Sequence, residues 1–303
     1  MIRHLKRKEI DIQKWDDCIS KSTSPQIFGC SFYLDVCCPD WSALVLNDYE
    51  AVFPIYIKEK FFIKHITQPY FVRHFGVYSK YQSVDLTPWI EAIGKQAKYI
   101  IVNVFNSTDL IFGLFKFLKT EKKYQMINLN HNHEFIRQNY SVSHLRKLKK
   151  IASLETSIIE INDFSIYIKE FKTTVSEKNL NYTYSHLSTL QNLMNELPKH
   201  CEVISKGLLM NGELVAGAYF VRYQNRLLYL KGFRKFNTEN DGGMFLLFDN
   251  IIKENCDQDC ILDFGGSNDT NVRQFFKGFG AEDSVYLQLE KNDLPVIVSW
   301  IKK

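Results

Sequence analysis

The run ILDFGGSNDTNVRQFFKGFGA, Ile261 to Ala281, holds the residues of this 303-residue chain best suited to chemistry. Asp263 stands in an otherwise apolar strand (Ile261, Leu262, Phe264), where an unpaired carboxylate is costly. Gly265 and Gly266 have no Cβ, so the backbone there can turn sharply and lie close to a ligand. Ser267 or Asn268 can cap the helix that follows, whose free N–H groups point back at the turn. That helix carries Arg273, Phe275, Phe276 and Lys277, and the Gly-Phe-Gly stop after Lys277 holds a cation close to the core.

Two other stretches invite a chemical reading. His131 and His133 in NLNHNHEF, with Glu134, could meet a metal from a strand, but no third ligand is evident and a loop between strand and helix explains them. No metal is therefore expected. In SVSHLRKLKKIA, Ser141 or Ser143 can cap a helix on which Arg146, Lys147, Lys149 and Lys150 cover more than one side. These cations can grip a phosphate of a nucleotide-linked substrate, coenzyme A or tRNA; the plainer reading is a solvated basic face on a connecting helix.

The elements that position these residues alternate between β and α. A short strand and a helix over 2–20 lead to a second short helix at SFYLDV, then to strands over Trp41–Leu46 and Glu50–Lys58. A strand and loop run through FFIKHITQPYFVRHFGVYS, and Thr87 caps a helix to Ala97 with Pro88 at its first position. YIIVNVF is a buried strand, Asp109–Phe117 a helix and Tyr124–Leu129 a strand. Beyond 155 come a strand, helices over 163–178 and Tyr182–Leu197, and a three-strand meander turning at Asn211-Gly212 and Gln224-Asn225. Helix 243–255, the 261–281 unit and strand 284–290 follow.

Composition fits a globular chain of one large or two medium domains, 45% hydrophobic and 24% charged. The net charge of +4 permits an anionic ligand without marking a general nucleic-acid binder. Seven cysteines at irregular spacing read as reduced, partly buried thiols. The start MIRHLKRKEI has no apolar core of a leader, and no run reaches ~18 apolar residues, so a cytoplasmic protein without a transmembrane segment is expected.

Asp263-Phe264-Gly265-Gly266 followed by Phe276-Lys277-Gly278-Phe279-Gly280 resembles the C-terminal signature of the FemABX-type peptidyltransferases. It is closer still to the FemAB-like, GNAT-fold acyltransferases common in Bacteroidetes bacteria. The Tyr140-Ser141 to Ala152 helix and the proline, aromatic and glycine loop before Gly76 are similar to the family as well, so the resemblance spans nearly the whole chain. It implies an α/β (α+β) fold of tandem GNAT-like domains, each a mixed sheet flanked by helices. The domains would be 1–140 and 141–290, with 291–303 packing back. It further implies acyl or aminoacyl transfer to an amine on a small molecule or peptide. Acyl-coenzyme A or aminoacyl-tRNA would be the co-substrate, with no tightly bound cofactor.

By that resemblance Lys277 stabilises negative charge on the acyl carbonyl or on a substrate phosphate. Asp263 could accept a proton from the attacking ammonium or orient Lys277, though the plainer reading is a structural carboxylate bonded to backbone N–H groups, and Tyr229 could donate to the leaving group. Arg73 in the loop bordering the acceptor cleft, Arg146, Lys150, Gly265, Gly266, Ser267 and Arg273 would contact substrate. In GNAT enzymes the coenzyme A pyrophosphate lies on a glycine-rich turn opening a helix. The matching NTENDGG, with Asn237, Gly242 and Gly243, departs from Arg/Gln-x-x-Gly-x-Gly/Ala. Glu239 and Asp241 put negative charge where a pyrophosphate would lie. Two alternatives stand beside aminoacyl transfer: a conventional acetyl-coenzyme A N-acetyltransferase, and a non-catalytic scaffold on a degenerate GNAT frame.

Overall fold

A computed structural model of the chain describes residues 1–81, 84–105, 117–177, 182–235, 242–266 and 269–295. In chain order it runs through β1 (Ile2–Lys6), α1 (Ile12–Ser20), α2 (Ser31–Cys37), β2 (Ser42–Leu46), β3 (Ala51–Ile55), β4 (Ile57–Lys60), β5 (Ile63–Ile66), β6 (Tyr78–Ser79), α3 (Thr87–Gly94) and β7 (Tyr99–Val104). It continues through β8 (Leu118–Asn128), α4 (His133–Gln138), α5 (Val142–Ile151), β9 (Thr156–Glu160), α6 (Ser165–Glu177), α7 (Tyr184–Glu196), β10 (Glu202–Met210) and β11 (Glu213–Tyr223). β12 (Arg226–Arg234), α8 (Gly243–Asn255), β13 (Ile261–Asp263), α9 (Thr270–Lys277) and β14 (Glu282–Asn292) complete it. Two compact units result: Met1–Lys122 with the chain from Val285 onward, and Lys123–Ser284.

In the first unit β1, β2, β3 and β6 form an antiparallel sheet in that order. A second group pairs β4 with β5 antiparallel, β5 with β7 parallel and β7 with β14 antiparallel. The stretch 50–58, expected as one strand, breaks at Tyr56 because its two halves want different surroundings. Ala51–Ile55 is apolar and buried throughout, whereas Ile57–Lys60 is charged and exposed. Trp15 against Trp41, at 4.7 Å between ring centroids, and Phe53 against Phe75 and Trp89 fill the core. Thr87, expected as the cap, is the first residue of α3; the N-cap is Leu86, and Asp85 Oδ1 accepts from the Thr87 N–H.

In the second unit the strands lie in the order β8, β13, β12, β11, β10, β9, and the β12–β13 pair alone among them is parallel. Successive residues of a strand point to opposite faces. Ala216, Ala218 and Phe220 of β11 therefore share one core with Leu247, Phe248, Ile251 and Ile252 of α8. Tyr219, between them, turns the other way, packs edge-on to Tyr167 of α6 and donates its hydroxyl to the Met194 carbonyl of α7. Ile127, Leu129, Ile136 and Tyr140 belong to the first of these cores, so the second unit takes in residues assigned by sequence to a domain ending at 140.

Smaller differences have local causes. β8 begins at Leu118, six residues before the apolar run that marked it. His133 opens α4 under an Asn132 cap, where a loop was expected. Asp269, not Ser267 or Asn268, caps α9 by accepting from the N–H groups of Asn271 and Val272. The helix expected over Asp109–Phe117, apart from Phe117 itself, and most of the 291–303 segment lie outside the described residues. None of the seven cysteines is in a disulfide. Among the described residues no helix is long and apolar enough to cross a membrane.

Candidate active site in the second unit

β12 and β13 pair over three positions, Arg226 with Ile261, Leu227 with Leu262 and Leu228 with Asp263, and there the pairing stops. Gly265 and Gly266 then take φ of +78° and +75°, a region that side chains with a Cβ rarely enter. A Cβ on Gly265 would lie 2.8 Å from the Tyr229 carbonyl oxygen, and one on Gly266 2.7 Å from Tyr124 Cβ. β12 continues to Arg234 with a bulge: Phe220 faces Tyr229 and Tyr219 faces Lys231, leaving Leu230 as the extra residue. A bulge of this kind bends the strand and sharpens its twist. An open cleft of about 350 Å³ lies beside this stretch, lined chiefly by Tyr229, Phe233, Phe245, Phe248, Val272 and Phe275.

The N-terminus of α8 borders the same cleft through Gly243 and Met244. Gly242 is its N-cap and has no side chain to cap it. A Cβ there would stand 3.2 Å from Ile151 of α5. Helix N-terminal N–H groups favour an anion. Asn237, and with it Glu239 and Asp241, lies outside the described residues.

The charged residues divide into two groups. Asp263 is fully buried; one carboxylate oxygen accepts from Arg226 Nη1 at 2.9 Å and the other from the Gly265 N–H at 2.9 Å. Lys277 is not part of that group. α9 turns Val272, Phe275 and Phe276 toward the cleft and Arg273 and Lys277, four apart, toward Asp283 at the start of β14. Asp283 meets the Arg273 guanidinium, Lys277 Nζ at 3.6 Å and Lys123 Nζ at 3.7 Å, and accepts from Gln125 Nε2 at 3.0 Å. Arg273, with help from Gln125 and Lys277, holds the Asp283 carboxyl well below the usual carboxylate range. Three cations on one carboxylate leave a positive surplus on this side of α9. Tyr229 lines the cleft, and burial pushes its phenol well above its ordinary value, so it stays protonated.

FemX superposes with a TM-score of 0.67 at 11% identity, over 94% of this chain and 96% of that one. The C-terminal domain of a putative lysylphosphatidylglycerol synthetase from Agrobacterium fabrum gives 0.58 at 11%, over 96% and 94%. A tandem GNAT protein from the clavulanic acid biosynthesis pathway gives 0.53 at 9%, over 97% and 99%. The fold is that of a tandem GNAT protein. No family model and no curated protein matches the sequence itself.

Within this GNAT frame the two motifs that carried the sequence resemblance touch each other. The Ser141 N–H donates to the Gly278 carbonyl at 2.8 Å, and the Tyr140 and Phe279 rings meet edge to face at 5.2 Å. His144 fills the space between them. Its Nε2 donates to the Phe275 carbonyl at 2.8 Å, which leaves Nδ1 to accept from the Ser141 hydroxyl at 2.9 Å. A Cβ on Gly278 would fall 1.9 Å from this ring. Gly280 is held at φ +81°.

The remaining expected site residues lie elsewhere. Arg146 and Lys150 are exposed on α5. Arg73 belongs to the first unit, its guanidinium 5.1 Å from the Phe28 ring centroid. Ser267 lies outside the described residues. His133 bonds Asp249 at 2.9 Å. Sequence reasoning missed Asp283, His144 and Lys231. Lys231 Nζ stands 3.2 Å from the Phe171 ring centroid, and burial lowers its pKa to about 7. A lysine inside an apolar meander strand was the available signal for the last.

Removing the fully buried carboxylate of an ion pair leaves its largely buried partner, Arg226, uncompensated. Asp263→Ala is therefore expected to cost about 3–5 kcal/mol in urea unfolding, far more than a surface carboxylate change. Burial also holds His144 below its ordinary value. The stability from its neutral form is whole above the unfolded value of about 6.5 and drains as pH falls from there toward the depressed folded value. Urea midpoints should fall between pH 7 and 5, and fall less steeply in His144→Asn.

Proposed function

We propose that this protein is an acyl- or aminoacyltransferase that moves an acyl group to an amine. The observation that carries the reading is the early end of the β12–β13 pairing beside an open apolar cleft. The cleft borders the N-terminus of α8 and shares α9 with the cationic cluster. An activated acyl donor would lay its chain along the free stretch of β12 and its acyl group among the aromatic side chains. Its phosphates would meet the α8 N-terminus or the surplus positive charge of Arg273, Lys277 and Lys123.

Transfer in such a site needs no protein nucleophile. The amine nitrogen attacks the acyl carbon, the C–N bond forms as the C–S or C–O bond breaks, and the bound geometry supplies much of the acceleration. Lys277, on the side of α9 turned from the cleft toward Asp283, would meet a donor phosphate. Tyr229, protonated and facing the cleft, would give its proton to the leaving group and recover one from the attacking amine. Asp263, with both oxygens engaged, is assigned to holding the turn and not to proton transfer.

The donor class follows two lines of support. Among the structural neighbours, the putative lysylphosphatidylglycerol synthetase and FemX favour an aminoacyl donor, and with it aminoacyl-tRNA as co-substrate. The tandem GNAT neighbour, described without acetyl-coenzyme A, favours a coenzyme A thioester. The acceptor is an amine-bearing small molecule or peptide.

Titration of wild type and Lys277→Ala with acetyl-coenzyme A, and separately with a mixed aminoacyl-tRNA pool, tests the proposal. One donor should bind wild type at micromolar concentration, and the substitution should weaken it by roughly tenfold or more, the worth of one charge-assisted contact. Binding of neither donor would leave the non-catalytic scaffold as the better reading.

A further inference from the structure

The tip of the β4–β5 hairpin is made of residues that its turn geometry does not call for. Phe61 and Phe62 are its two central residues, at φ of +50° and +62°. Such two-residue turns favour Asn-Gly, because both positions need a positive φ. The β10–β11 turn of this chain follows that rule with Asn211 and Gly212, at +50° and +79°. At the β4–β5 tip two phenylalanines hold the strained conformation while their rings face outward, 67% and 97% exposed. Burial in the core therefore gives no reason for either ring.

The flanks of the tip are basic. Lys58, Lys60 and Lys64 are all exposed, and Glu59 is the one carboxylate on these strands, standing across the ladder from Lys64. Two outward rings with lysines one to three residues behind them form a small convex wedge, apolar at the point and positive at the base. A protein partner would find little area on it. Each ring can bury some 150–250 Å², well short of the roughly 1,000 Å² a stable protein interface needs. A bilayer has no such requirement: the rings enter the headgroup region singly, and each lysine meets the negative surface potential.

We propose that the Phe61-Phe62 tip, with Lys58, Lys60 and Lys64, is a peripheral anchor for an anionic lipid bilayer. The rings insert at the interface and the ammonium groups pair with lipid phosphates. Binding of this kind is reversible and weakens with salt. It stands on the hairpin alone and is independent of the acyl-transfer reading.

Flotation of the full chain with vesicles tests it, comparing phosphatidylcholine alone with phosphatidylcholine containing phosphatidylglycerol at low salt. Phe61→Asn/Phe62→Gly installs the residues this turn prefers, so the variant should melt no lower than wild type and a loss of binding cannot be blamed on misfolding. Wild type should float with the anionic vesicles. The tip variant should partition at least about tenfold less, as expected for two apolar rings withheld from the interface. Lys58→Gln/Lys60→Gln/Lys64→Gln should lose the preference for anionic over neutral vesicles. Equal flotation of wild type and the tip variant, or flotation of neither, would overturn the proposal. So would a dimer in light scattering that the tip substitution dissociates without any flotation, which would assign the rings to a second copy.

Discussion

The second unit turns on one buried carboxylate. Asp263 has no contact with solvent, and each of its oxygens has a fixed donor, Arg226 on one side and the Gly265 N–H on the other. A charge at such depth is tolerated only when paired and hydrogen-bonded, so both contacts must form together or the segment does not settle. Arg226 opens β12 and Asp263 closes β13. Their pairing fixes the register of the parallel strands at its last position and draws the chain into the left-handed turn at Gly265 and Gly266. The strands part there. The cleft is a consequence of where that pairing ends.

The aromatic packing makes the opening rigid. Phe248 of α8 lies within 6 Å, ring centroid to ring centroid, of Phe220, Tyr229, Phe264, Phe275, Phe276 and Phe279. Close-packed rings of this kind leave no freedom for α9 to roll about its axis. The helix therefore keeps its apolar residues on the cleft side and Arg273 and Lys277 on the side of Asp283. His144, wedged against Gly278, ties α5 to the end of α9 and explains why the motif has glycine there. Apolar space and surplus positive charge are thus presented by two sides of one eight-residue helix.

Much of this was legible in the sequence, and what was missed has a common cause. The strand, glycine turn and helix over 261–281 were readable because apolar runs, glycine and helix stops act within a few residues. The meander turned where Asn211-Gly212 and Gln224-Asn225 marked it. Pairings over longer range were not readable. Lys277 and Asp263 look like partners fourteen residues apart, yet the fold gives Asp263 to Arg226 and Lys277 to Asp283. The β3–β4 break also escaped, because Tyr56 is apolar enough to continue a strand while its neighbours on either side belong to different sheets. The first part of β8 is charged, so hydrophobic pattern alone could not extend it back to Leu118.

Amide hydrogen exchange with and without saturating acyl donor bears most directly on the cleft that β12 lines with α8 and α9. Slowed exchange at Gly232 to Arg234 of β12 and at Met244 and Phe245 in the first turn of α8 is the predicted result, since the donor would cover both. Protection confined to the first unit, or none at all with the donor demonstrably bound, would contradict it.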